Sequence, residues 1–268
     1  MSGSNAPHTI RTQIWLEEPE PDNPFATRAA YCRGYDVYGE MLGHARWSDM
    51  LYLLFKEEAP GKAQADLLDS LALALANPGP RDASVHAAMC GGVCGSSAAS
   101  SLIAALAVGA GHLAGGREVF YAVSGWHQCG KDLAAWKNFF TSPKSTEADI
   151  WPEIDHPPGF DPYGVSTGLT VIQTLDCLAG YAVGSILPWL HANLQAMEAL
   201  AGKPLALSGV AAAALAELGF SAQQSEMLFL LLRLPGAAAH ALEQYPLGYK
   251  KFPFGTVELE NDTQESTA

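Results

Sequence analysis

Gly111-His112-Leu113-Ala114-Gly115-Gly116-Arg117-Glu118 is a glycine-punctuated turn that closes one of the most apolar stretches of the chain. The residues before it, from Ala98 to Ala110, are only alanine, serine, glycine, leucine, isoleucine and valine. They read as a buried helix whose small side chains let neighbouring backbones come close. Upstream, a helix from about Asp82 to Met89 is followed by a glycine-rich turn at Cys90–Gly95. The breaker Asn77-Pro78-Gly79-Pro80 separates these from a helix over Leu67–Ala76. Apolar positions recur at helical spacing from Ala26 to Ala76, and Met50, Leu51, Leu53, Leu54 and Phe55 share one face. Ser48 or Asp49 can cap that helix, because either side-chain oxygen accepts an unpaired amide, and Pro60 ends it. Residues 1–25, with four prolines, read as an irregular arm.

Downstream, Ser142–Gly168 holds Pro143, Pro152, Pro157, Pro158 and Pro162 and reads as a long loop, a kind of segment that usually carries function. Three helices follow: Leu169–Leu200 with a break near Pro188, Leu207–Leu218, and Ala222–Gln244. Strand alternation and internal repeats are not visible. The expected fold is all-α.

The chain has 268 residues, enough for a sizeable core, with 49% hydrophobic and only 16% charged residues. Soluble domains average roughly 25% charged, so the shortage predicts an oligomer that hides part of its surface. A net charge of −13 without a basic cluster argues against nucleic acid and anionic membrane surfaces as partners. The runs Ala98–Gly116 and Met227–Ala239 read as buried helices rather than membrane spans, the second being broken by Arg233 and Pro235. Five cysteines and no secretory leader give the expectation of reduced thiols in the cytoplasm.

Several blocks in order resemble the citrate synthase superfamily, and within it the short citryl-CoA lyase-like branch. They are Cys32-Arg33-Gly34-Tyr35-Asp36, Ser48–Lys56, Asp82-Ala83-Ser84, the Gly111–Glu118 turn and Pro158-Gly159-Phe160. Gly202-Lys203-Pro204-Leu205, Leu218-Gly219-Phe220 and the stretch from Leu228 to Gln244 complete the series, which spans about residues 28 to 255. The resemblance implies an all-helical homodimer with a cleft between two domains in each subunit. The large domain would hold residues 26–116 and 206–268, and the small domain residues 117–205. It also implies a CoA thioester and a carboxylate as substrates, with CoA or acyl-CoA bound as substrate rather than as a tight cofactor, and no metal.

Such enzymes enolise or release an acyl-CoA with a carboxylate base and two histidines, one group taking a proton while another stabilises the enolate oxygen. In this sequence the first histidine position falls on Ala114, the second near Pro162 and the carboxylate on Ser208. A further histidine, which holds the keto acid, falls at about Gly79. None of these can run the usual reaction. Arg233 matches the arginine that clamps a substrate carboxylate, or else it is half of an internal ion pair. Lys250 and Lys251 stand where a tail arginine is expected and lack its bidentate geometry.

Three residues are candidates to take over. His112 lies two positions before Ala114, and His156 and Asp161 flank the Pro158-Gly159-Phe160 loop, with Asp155 beside His156. Each is also readable as packing or solvated surface. Ser208 would serve as a nucleophile only with a base in reach. The Cys90-x₃-Cys94 pair with His86 falls short of a zinc site, and Trp126-His127-Gln128-Cys129 reads as a packing unit. Two functions remain open: a diverged enzyme making or breaking a C–C bond, and a non-catalytic homologue that senses a ligand or pairs with an active subunit.

Overall fold

Asp82 opens its helix as the sequence predicts, its carboxylate accepting the Ser84 amide at 2.9 Å. The computed structural model describes residues 10–141 and 156–251. Among them are eleven α-helices: α1 Trp47–Phe55, α2 Lys62–Leu75, α3 Ala83–Val93, α4 Ala98–Gly109, α5 Gly116–Cys129, α6 Leu133–Thr141, α7 Leu169–Ala179, α8 Ile186–Ala192, α9 Leu194–Ala201, α10 Leu207–Glu217 and α11 Ala222–Leu247. The protein is an all-α fold with one small antiparallel sheet at its start. The chain divides into two compact units, with boundaries after Ala76, Gly109 and Leu232.

The sheet was not expected. Strands β1 Trp15–Glu20, β2 Asn23–Cys32 and β3 Tyr35–Asp36 pair in that order, so residues 15–25 are not an irregular arm and residues 26–32 are not helical. Its signal is faint because the ladder slips on either side of Pro19, and most of its side chains are exposed or half-exposed. A half-buried alternation therefore never develops. The clearest local mark is Arg33-Gly34, whose φ values of +52° and +90° make the two-residue turn joining β2 to β3.

In the first unit, α10 is buried from Ser208 through Ala216. A helix that is apolar all round belongs at the centre of a core, and α5, α7, α8 and α2 pack on it. Trp126 of α5 sits edge-to-face with Trp136 and Trp189, at centroid distances of 4.9 and 5.9 Å. That confirms Trp126 as packing, while His127 and Gln128 point to solvent. The break expected near Pro188 falls on either side of it, between Ala179 and Ile186 and again at Asn193. Pro188 itself is accepted in the first turn of α8, where no amide bond is lost. That turn is capped by Glu217, which accepts the Ile186 amide at 2.5 Å and the Leu187 amide at 3.2 Å.

The second unit pairs α3 with α4 and with the part of α11 after Leu232, around Val85, Ala88, Ala105, Ala237 and Ala241. Of the glycines expected to turn the chain at 90–95, Gly95 does so at φ +71°, whereas Gly91 and Gly92 lie inside α3, which runs to Val93. Their purpose is close approach: a Cβ on Gly92 would fall 2.2 Å from the Ala241 carbonyl oxygen, and one on Gly91 would fall 2.6 Å from Ser101 Oγ. Backbone cannot yield as a side chain can, so Gly92→Ala should cost about 1–3 kcal/mol as overpacking. A urea melt reads this directly, and an unchanged midpoint would mean that α3 and α11 are not held at this separation.

Candidate functional site

Glu118 is the third residue of α5, after the N-cap Gly115, and its side chain turns inward rather than to solvent. It is 2% exposed, and a bare carboxylate at that depth costs several kcal/mol. The surroundings explain why it is tolerated. Oε1 accepts the Gly159 amide at 2.8 Å and the Ser208 hydroxyl at 2.8 Å. Oε2 accepts the Ala114 amide. The carboxylate also sits at the N-terminus of its own helix and beside the N-terminal turn of α10, where two helix dipoles favour negative charge. His156, itself 5% exposed, brings Nε2 to 3.9 Å from Oε2.

Glu118 therefore gathers four segments of the first unit: the 111–116 turn, the start of the 156–168 loop, α5 and α10. The loop is fastened further along its length. Gly159 carbonyl accepts the Ala206 amide at 3.0 Å, the Asp161 amide reaches Pro204 carbonyl at 2.9 Å, and Lys203 Nζ donates to Pro162 carbonyl at 2.7 Å. Gly159, at φ +89°, touches Gly209 so closely that a Cβ on Gly209 would meet the Gly159 carbonyl at 2.2 Å. Next to this contact a void of about 10 Å³ remains among Trp126, Trp136, Phe160, Met197 and Leu205, roughly the space of one water.

The structure brings His156 into this cluster, and the other candidates are engaged in contacts of their own. Asp161 spends Oδ1 on the Tyr163 amide at 2.9 Å, capping its own turn. His112 is half-buried and stacks on Tyr121, with centroids 5.8 Å apart and planes 18° from parallel. Arg233 lies in the second unit, buried, with its guanidinium on Asp82, the residue that caps α3. The Asp155 beside His156 lies outside the described residues. Lys250 and Lys251 are exposed in a short 3₁₀ turn. Burial pushes the Cys32 and Cys129 thiols up, so neither is a ready thiolate. Among the described residues no group of three or more His, Cys, Asp or Glu side chains could hold a metal ion.

Sequence reasoning missed Glu118. Its one local signal is its place three residues after an N-cap, from which a carboxylate reaches back to an amide before the helix. Ala114, in contrast, stands out in both. It is at φ +50°, in the left-handed region, where Asn, Asp, His or Gly is the more usual occupant.

The chain matches no known protein-family model and no curated protein. Solved structures do match it. Citryl-CoA lyase from Hydrogenobacter thermophilus superposes with a TM-score of 0.69 at 19% identity, covering 96% of this chain and 98% of the other. The fold is that of the citrate synthase superfamily. ATP citrate lyase from Methanothrix soehngenii, solved with citrate and coenzyme A, gives 0.69 at 18% identity over 98% of this chain and 44% of its own. Citrate synthase from Thermoplasma acidophilum, in a ternary complex with carboxymethyl coenzyme A and oxaloacetate, gives 0.58 at 16% identity over 80% and 57%. The citrate synthase-like helical fold expected from the sequence blocks is the one observed.

The left-handed backbone at Ala114 costs an alanine about 1–2 kcal/mol that glycine avoids, less the extra freedom glycine has when unfolded. Ala114→Gly should therefore raise stability by up to about 1 kcal/mol. Loss of stability in a urea melt would show that the Ala114 methyl contributes packing that outweighs the backbone conformation.

Proposed function

We propose that this chain acts on a CoA thioester and a carboxylate partner, making or breaking a C–C bond with acid–base groups relocated within the citrate synthase-like fold. The observation that carries this reading is the buried pair of Glu118 and His156, a carboxylate and a histidine 3.9 Å apart. Their neighbour Ser208 occupies the position of the family's carboxylate, as the resemblance implies. A base needs to be held, and Glu118 is fixed by three hydrogen bonds. The likeness to structures whose names include citryl-CoA, citrate and coenzyme A supports the substrate class. CoA or acyl-CoA enters as substrate, not as a resident cofactor. His112 and Asp161 stay outside this acid–base set, and Arg233 would serve a carboxylate by exchanging its Asp82 partner.

A homodimer is part of the proposal. Met227 and Leu231 of α11 are 59% and 45% exposed one helical turn apart, which suits a covered face. A cytoplasmic setting fits the five free cysteines.

A second reading, a non-catalytic ligand sensor or partner subunit, has its own observation. The backbone of Ala114, the hydroxyl of Ser208 and the carbonyl of Pro162 each end in an internal hydrogen bond, so all three catalytic positions of the family help close the structure here. Two measurements separate the readings. A ligand at a hundredfold excess over Kd stabilises the folded state by about 2.7 kcal/mol, so thermal shifts with acyl-CoAs and with di- and tricarboxylates report binding. Turnover on the acyl-CoA that binds should then fall about 10²–10⁴-fold in His156→Gln and in Glu118→Gln. Binding without turnover in the wild type supports the sensor, and turnover that survives both substitutions overturns the relocated acid–base pair.

A further inference from the structure

The same cluster contains a nucleophile in position. We propose that Ser208 is acylated: its hydroxyl attacks a thioester with Glu118 as base, releasing CoA and leaving an ester that water then hydrolyses. This rests on the CoA-thioester reading above for its substrate, and on geometry alone for its nucleophile.

A serine hydroxyl is inert until a base in hydrogen-bond reach takes its proton, and the base must itself be oriented. Ser208 Oγ donates to Glu118 Oε1 at 2.8 Å. Glu118 is in turn oriented by the Gly159 amide at 2.8 Å and by the Ala114 amide, with His156 Nε2 nearby at 3.9 Å. Ser208 is 4% exposed, so solvent hardly competes for that proton. Ser208 is also the second residue of the eleven-residue helix α10, after the N-cap Ala206. At this position the amides of Leu207 and Ser208 precede the first intrahelical bond. Both amides belong to the turn that carries Oγ, and the oxyanion of a tetrahedral intermediate formed there would gain from N–H groups and from the helix dipole.

The steps balance. Oγ forms a bond to the thioester carbonyl carbon as Oε1 takes the hydroxyl proton, and the carbon–sulfur bond breaks. The departing thiolate leaves as CoA thiol with that proton. Water attacks the Ser208 ester, Glu118 takes its proton, and the ester bond breaks to give the free acid and restore the hydroxyl. No electrons are gained or lost, and water is the one co-reactant. Pro158-Gly159-Phe160, packed on Gly209, must withdraw for a thioester to reach Oγ, and the Ala114 amide is then what holds Glu118 once the Gly159 amide has left.

Two probes on the full chain test this independently. A fluorophosphonate reacts with an activated serine whatever the natural substrate. It should label the peptide that carries Ser208, lose that label in Ser208→Ala, and react about 100-fold more slowly with Glu118→Gln. In parallel, acid quenching during reaction with a series of short acyl-CoAs should trap one acyl group on Ser208 as free thiol appears. Ser208→Cys guards against a folding artefact: with a urea midpoint like that of the wild type, its peptide at 208, distinguished from the five native cysteines, should be alkylated by iodoacetamide while remaining blind to the fluorophosphonate. Absence of the label, with acyl-CoA turnover that persists in Ser208→Ala, overturns the nucleophile and leaves the thioester reading standing. Labelling without cleavage of any acyl-CoA keeps the nucleophile and overturns its substrate. Neither labelling nor thiol release overturns this inference alone, because making or breaking a C–C bond leaves the thioester intact.

Discussion

The Glu118 carboxylate is the constraint around which the first unit is arranged. A charge this deep survives only where each lone pair is spoken for. Here the donors come from three places far apart in sequence, Ala114, Gly159 and Ser208. The turn, the loop and α10 must therefore all be in place together. That requirement accounts for features that otherwise look unrelated. Ala114 accepts a left-handed backbone because its amide has to face Oε2. Gly159 and Gly209 lack side chains because the loop has to lie flat on α10 for the Gly159 amide to reach Oε1. Removing the carboxylate would strand all three donors at once, whereas removing any one donor leaves the others.

The helices were legible because their evidence is local. Asp82 caps α3, Pro60 follows α1, and α10 is apolar on every face, so its central burial follows from composition. What failed to show depended on partners far along the chain. Gly91 and Gly92 look like a turn when read alone and are explained only by Ser101 and Ala241. The β1–β2 hairpin is mostly solvated and slips around Pro19, so it carries little of the alternation that marks a half-buried sheet. Glu118 is the sharpest case. Acidic residues in a first helical turn are ordinary and normally solvated, and nothing near position 118 says that Gly159 and Ser208 will close over it. His156 stands out from its loop, where the partner to expect beside it is an aspartate; the carboxylate it meets in the described structure is on α5.

Arg233 shows how one residue type supports two accounts until its surroundings are known. A guanidinium inside an apolar helix needs an anion. In the second unit that anion is Asp82, which at the same time accepts the Ser84 amide that starts α3. The ion pair thus ties the start of one helix to the interior of another. A substrate carboxylate could take its place only by leaving Asp82 with its cap and without its cation.

The positions where the family's catalytic groups are expected are not simply emptied. An aspartate at 208 would place a second carboxylate within hydrogen-bond distance of Glu118, and two such groups in a buried site cannot both ionise. A hydroxyl at 208 and a carboxylate at 118 are therefore one solution, and a carboxylate at 208 with a neutral residue at 118 is another. Ser208 supplies Glu118 with a donor and adds no second charge. The site keeps a single buried negative charge at the N-terminal end of α10 and supplies it from α5. The group now nearest the helix amides is a hydroxyl whose proton already points at a base.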